Sequence, residues 1–165
     1  EVPEYVGPIY VNIDDTGLGG GVTDRLKEIK RERKLSRLFV IPINAAEKIE
    51  TDTKEGKEAA EYYNNLTTHM WAILRDLLEN KQIEVEEEAE TFAQMSVRKY
   101  FMASNGKLEL ESKKEMKRRG VTSPDRADAA ALSVYLGKVK KYTGSAPSKE
   151  AIDRLNKSSY WQGVR

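Results

Sequence analysis

A strand that runs straight into paired aspartates and a glycine run constrains the fold of this chain more than any other feature. Pro8-Ile9-Tyr10-Val11-Asn12-Ile13 is β-branched and aromatic, the composition of a short buried strand, and its end delivers Asp14 to a loop. Thr16-Gly17-Leu18-Gly19-Gly20-Gly21 follows, after which Leu18, Val22, Leu26 and Ile29 recur at helical spacing through a strongly charged segment. Arg37 to Ile43 reads as a second apolar strand, and Asn44 to Gly56 as a polar loop. Strand, glycine turn, helix and strand in that order predict an α/β layer with parallel strands. With 165 residues, 39% of them hydrophobic and 33% charged, the chain is long enough for one domain with a sizeable core and a polar exterior.

Further along, Tyr63, Leu66, Met70, Ile73, Leu74 and Leu77 trace one face of a long helix from about Ala59 to Glu79. His69, the only histidine, has no second ligand nearby in sequence and reads as a structural or surface residue without a functional role. The acidic run Glu84 to Glu90 leads into a short helix through Met95. Val97 to Ala103 and Lys107 to Glu111 flank Ser104-Asn105-Gly106, which predicts a β-hairpin whose Asn-Gly turn needs positive φ at both residues. Ser112-Lys113-Lys114-Glu115 has the spacing of a capping box, opening a short basic helix that Gly120 ends. Residues 143–165 form a basic extension, with Ile152 and Leu155 on one small amphipathic helix. Cysteine is absent, which excludes disulfides and thiolate chemistry. With no signal-like start and no apolar run of membrane-spanning length, the expectation is a soluble intracellular protein.

Ser123-Pro124-Asp125-Arg126-Ala127-Asp128-Ala129-Ala130-Ala131-Leu132 carries the chemistry. Ser123 is the expected N-cap and Pro124 the first helical residue, which places Asp125 and Asp128 in the opening turn. An acid there ordinarily answers the helix dipole. The second acidic pair, Asp14-Asp15, supports a different use, because clustered carboxylates hold divalent ions that neutralise a scissile phosphate and activate water. A carboxylate at a strand's C-terminal end and another at a helix start suit the crevice where open α/β sheets place ligands. Charge is distributed to match: residues 112–165 hold 13 Lys and Arg against 5 Asp and Glu, whereas the remainder holds 15 against 22. Lys113, Lys117, Arg118, Arg119 and Arg126 are the candidate phosphate contacts, although a charge run is more often a solvated face. The glycine run lacks a Gly-Lys-Ser/Thr ending, and Val22 stands where a dinucleotide motif needs its third small residue, so a close-packing turn or a DNA phosphate contact is the better reading.

In these residues the chain resembles the C-terminal nuclease domain of the large terminase subunit of tailed bacteriophages and prophages. Asp14-Asp15-Thr16-Gly17-Leu18-Gly19-Gly20-Gly21-Val22-Thr23-Asp24-Arg25-Leu26 is similar to that family's strand, acid, glycine turn and helix. Tyr63-Asn64-Asn65, Met70-Trp71, Ser104-Asn105-Gly106-Lys107, Glu111-Ser112-Lys113 and the segment from Ser123 to Ala129 follow it in order, across roughly residues 9 to 136. The resemblance implies a ribonuclease H-like fold, a mixed sheet flanked by helices with an added β-hairpin, over residues 1–142. It also implies a metal-dependent endonuclease that cuts concatemeric double-stranded DNA during genome packaging in the cytoplasm of the bacterial host. Portal protein and small terminase subunit are the implied partners. Asp14 matches the family's later-strand acid and Asp125 its helix acid, with Asp128 and Asp15 as auxiliary ligands for two Mg2+ or Mn2+ ions. The family's first strand and its acid should precede residue 9, where only Glu1 to Gly7 stand, so N-terminal truncation, weak cleavage by this chain alone and self-association through an open sheet edge are expected. The alternatives are a catalytically incomplete DNA-binding or motor-docking fragment, or another ribonuclease H-like nuclease; the terminase-like ending disfavours a resolvase or transposase.

Overall fold

A computed structural model describes residues 7–16, 19–85 and 88–137. The chain divides into two compact units, one holding the described residues up to Asn44 with Leu136 and Gly137, the other Ala45–Tyr135. The extension at 143–165, with its expected helix, lies outside the described residues.

In the first unit, β1 (Ile9–Asp14) pairs in parallel with β2 (Leu38–Ile43), Ile9 opposite Leu38 and Asp14 opposite Ile43. Helix α1 (Gly19–Glu32) makes the crossover that a parallel pair requires. Ile41 and Ile43 are completely buried, and Tyr10 tilts against Phe39 at 5.5 Å between ring centroids. Of the apolar stripe expected on α1, Leu26 and Ile29 are half-buried, but Val22 is 53% exposed and Thr23 is the buried residue in its place. Close approach sets the inward face, because a Cβ on Gly19 would lie 1.7 Å from the carbonyl oxygen of Asp14. Gly19 is therefore the close-packing glycine expected of the run, and α1 begins there.

The second unit opens with α2 (Lys54–Tyr62) and α3 (Leu66–Glu79), where one long helix was expected from the apolar spacing. The break has a local cause. Asn65 turns extended and its Oδ1 accepts from the Thr68 amide, while the Asn64 amide donates to the Leu108 carbonyl. Leu66, Met70, Trp71, Ala72 and Leu74 on α3 form the core with Leu110, Met116, Ala127, Ala131 and Tyr135. Helix α4 (Ala89–Val97) leads to the hairpin β3 (Tyr100–Met102) and β4 (Leu108–Leu110). Only Gly106 in its turn has positive φ, at 77°. The Gly106 amide donates to the Ala103 carbonyl, and the Ala103 amide to the Lys107 carbonyl. The connection is thus the three-residue loop Ser104 to Gly106 with glycine alone in the left-handed position, without the positive φ expected at Asn105 as well.

Ser112 and Glu115 form the anticipated capping box at the start of α5 (Lys113–Arg118), which Gly120 at φ 78° follows. Helix α6 (Asp125–Ser133) packs against α3 and α4. Its cap differs from expectation: Pro124 holds the cap position and makes no side-chain capping bond. The first-turn amides find an acceptor on another helix, since Gln94 Oε1 of α4 receives the amides of Arg126 at 2.8 Å and Ala127 at 3.3 Å. No helix among the described residues is long and apolar enough to cross a membrane.

Candidate functional site

Asp14 ends β1 on the exposed side of the turn, where its Oδ1 accepts from the Thr16 amide at 3.1 Å. The Asp15 amide donates to the Ile43 carbonyl at 2.9 Å, and its Oδ1 accepts from the Thr23 hydroxyl at 2.7 Å. Asp15 consequently ties the strand end to α1, whereas Asp14 presents its carboxylate outward. Both belong to the first unit, and Asp125 and Asp128 to the second.

At the start of α6 the two acids have different surroundings. The Asp125 side chain is 77% exposed; its Oδ1 accepts from the Ser123 hydroxyl at 2.5 Å and lies 3.3 Å from Lys113 Nζ. Ser123, expected to cap the helix, instead donates to this carboxylate. That bond, reinforced by Lys113, holds the Asp125 carboxyl below the usual carboxylate range. Asp128 is more enclosed. Its Oδ1 accepts from Trp71 Nε1 at 2.9 Å and from an Arg98 terminal nitrogen at 2.7 Å, and its Oδ2 lies 2.8 Å from Lys113 Nζ. Burial works against the Lys113 charge, but hydrogen bonds and attraction from Asp128 and Asp125 raise its pKa.

A chain of contacts supports Asp128 from behind. Arg98 lies over the Trp71 ring at 5.1 Å, and its Nε donates to the Glu111 carbonyl at 2.8 Å. The Glu111 carboxylate accepts from Arg119 at 2.6 and 2.7 Å, a two-bond fork that lowers the Glu111 pKa. Of the candidate phosphate contacts, Lys117 and Arg118 are exposed on α5. Lys113 and Arg119 already pair with acids, and Arg126 pairs with Glu88 and, at 3.2 Å, with Glu90. Sequence reasoning missed Trp71 and Arg98 as partners of Asp128, and Gln94 as acceptor for the first-turn amides of α6, because each reaches across 30 or more residues.

Among the described residues no three His, Cys, Asp or Glu side chains gather into a metal-holding group. What Asp125 and Asp128 do provide is two hard carboxylates sharing one cation, the Lys113 ammonium. Their chemistry suits oxygen-seeking divalent ions and not thiophilic ones.

The architecture is a mixed α/β fold of the ribonuclease H-like class, as in phage terminase nuclease domains. It is similar to the nuclease domain of the large terminase subunit gp2 of bacterial virus Sf6, with 20% identity, TM-score 0.61, and coverage of 76% of this chain and 64% of that one. A lysine-to-alanine variant of the Sf6 domain solved with manganese aligns at 20% identity and TM-score 0.62, over 76% of this chain and 65% of that one. The same kind of variant solved with calcium gives 20% identity and TM-score 0.62, over 76% and 64%. This chain thus spans slightly less than two thirds of the solved domains it matches. No protein-family profile matches the sequence, and no curated protein does.

Proposed function

We propose that this chain is the nuclease domain of a phage large terminase subunit, a divalent-metal-dependent endonuclease that cuts double-stranded DNA for packaging in the bacterial host. The observation that carries the proposal is the convergence of Asp125 and Asp128 on one cation, with Lys113 Nζ at 3.3 and 2.8 Å, on a fold shared with a terminase nuclease. Neighbouring structures were solved with manganese or calcium, which supports a divalent ion at such acids.

In this reading Asp125 and Asp14, the two exposed acids, hold Mg2+ or Mn2+, with Asp128 and Asp15, which are less exposed, contributing less. The bound ions supply charge for the scissile phosphate and lower the pKa of the attacking water. Ser123 and Lys113 keep Asp125 ionised, and its exposure leaves it open to a DNA strand. Lys113 compensates the paired carboxylates when no divalent ion is present, which limits their mutual repulsion. Exposed Lys117 and Arg118 contact backbone phosphates, positioning DNA without reading its sequence.

The test is calorimetric titration of the 165-residue chain with Mn2+, alongside plasmid nicking. Binding at millimolar or lower Mn2+, lost in Asp125→Ala, is the expected result. Absence of binding at millimolar Mn2+ refutes the metal-dependent reading; retained DNA binding would then favour a non-cutting DNA-binding fragment.

A further inference from the structure

We infer that Arg98 and Trp71 are positioning residues that clamp one oxygen of Asp128 and thereby present the other to the cation position. The inference rests on the metal-binding reading above and assigns a role to two side chains that hold no metal themselves.

Both donors converge on a single atom. Trp71 Nε1 and Arg98 reach the same Oδ1, at 2.9 and 2.7 Å, from a helix and a loop far apart in sequence. With Oδ1 held by two donors, the carboxylate cannot rotate, and Oδ2 faces Lys113 Nζ at 2.8 Å. The donors are themselves fixed. The Arg98 side chain is only 5% exposed, stacks over Trp71 and is anchored through Nε to the Glu111 carbonyl. Trp71 is 4% exposed on α3. Two donors also withdraw electron density from Oδ1, which leaves Oδ2 as the oxygen available to a metal. Asp128 is therefore a one-oxygen ligand, aimed by Arg98 and Trp71 in the way outer partners aim metal-binding carboxylates.

The test uses Trp71→Phe, which removes the N–H donor and keeps a ring for Arg98 to cover. Calorimetric Mn2+ affinity is expected to fall about 10-fold, the lower end of the effect of removing an outer partner of a metal ligand. Affinity unchanged in Trp71→Phe, while Asp125→Ala abolishes binding, overturns the positioning role and leaves the metal site standing. A parent chain that binds no Mn2+ overturns both. A second measurement needs no substitution at the clamp: the Trp71 indole N–H resonance, told apart from that of Trp161 by Trp161→Phe, is expected to shift on saturation with diamagnetic Mg2+ as charge is drawn toward Oδ2. A Trp71 signal that does not move at saturating Mg2+ overturns the inference even if Trp71→Phe fails to fold.

Discussion

Thr68→Val is the substitution that tests most directly how α3 holds the hairpin beneath the α6 acids. Thr68 is completely buried; its hydroxyl accepts from the Leu110 amide at 3.0 Å and donates to Asn65 Oδ1 at 2.9 Å. Valine has nearly the same shape, so packing is conserved and only the hydroxyl is exchanged for a methyl. Asn65 keeps its bond from the backbone amide of position 68, so the helix cap survives. The Leu110 amide does not fare as well, because it is directed at α3 inside the core and loses its acceptor. A buried donor left unsatisfied costs about 1–3 kcal/mol. The added methyl returns at most about 0.8 kcal/mol of burial. The net expectation is a loss of roughly 0.2–2 kcal/mol, centred on about 1, read by urea denaturation, with a fall of up to roughly 8 °C in Tm for a chain of this size. Faster hydrogen exchange at the Leu110 amide should accompany it. A variant as stable as the parent, or more so, refutes the reasoning, because it would mean the hydroxyl contributes nothing beyond its volume.

Gly19→Ala should destabilise by about 3 kcal/mol or more, since its Cβ would overlap the Asp14 carbonyl, whereas Gly21→Ala, with nothing within 4 Å, should stabilise α1 by roughly 0.5–1 kcal/mol; thermal melts of the two compare them. His69 lies against Tyr63 and Tyr135 with its Nδ1 buried and without a hydrogen-bond partner among the described residues, and burial lowers its pKa despite the opposing charge of Asp76. The unfolded chain therefore binds a proton near the ordinary value of 6.5 that the folded chain refuses, so stability is full above that pH and declines as pH falls from it toward the folded value. Because His69 is the only histidine, His69→Gln should flatten stability against pH in that window, and an unchanged slope refutes the assignment.

Legibility in the sequence followed the range of the interaction. The capping box at Ser112 and Glu115 spans three residues, and both reciprocal bonds are present. The parallel β1–β2 pair follows from two apolar strands around a helix, a pattern confined to 35 residues. The errors arise where competing local signals had to be weighed against distant contacts. Apolar spacing runs through Tyr63 to Asn65 as if one helix continued, yet Asn64 engages the Leu108 carbonyl and the helix restarts at Asn65. No residue near position 64 announces a partner more than forty residues away. Val22 fits the apolar stripe of α1, but the close approach at Gly19 brings Thr23 inward and leaves Val22 exposed while Leu26 and Ile29 stay half-buried.

The acids at the start of α6 show the same division at the site. That Asp125 and Asp128 share a helix turn was readable from their spacing, and so was their nearness to a basic segment. Their different duties were not. Asp125 stands 77% exposed, whereas Asp128 is 24% exposed, because Trp71 and Arg98 close over one and not the other. Helix periodicity places the two only three residues apart and cannot tell which will face a buried guanidinium. The difference has a chemical consequence: an acid that compensates Arg98 cannot be removed without leaving that charge buried and unpaired, whereas an exposed acid can. Asp125→Ala should therefore change metal binding with little change in folding, and Asp128→Ala should change both. Loss of Mn2+ binding alone thus identifies Asp125 as a ligand, but for Asp128 the same loss identifies a ligand only when the protein remains folded.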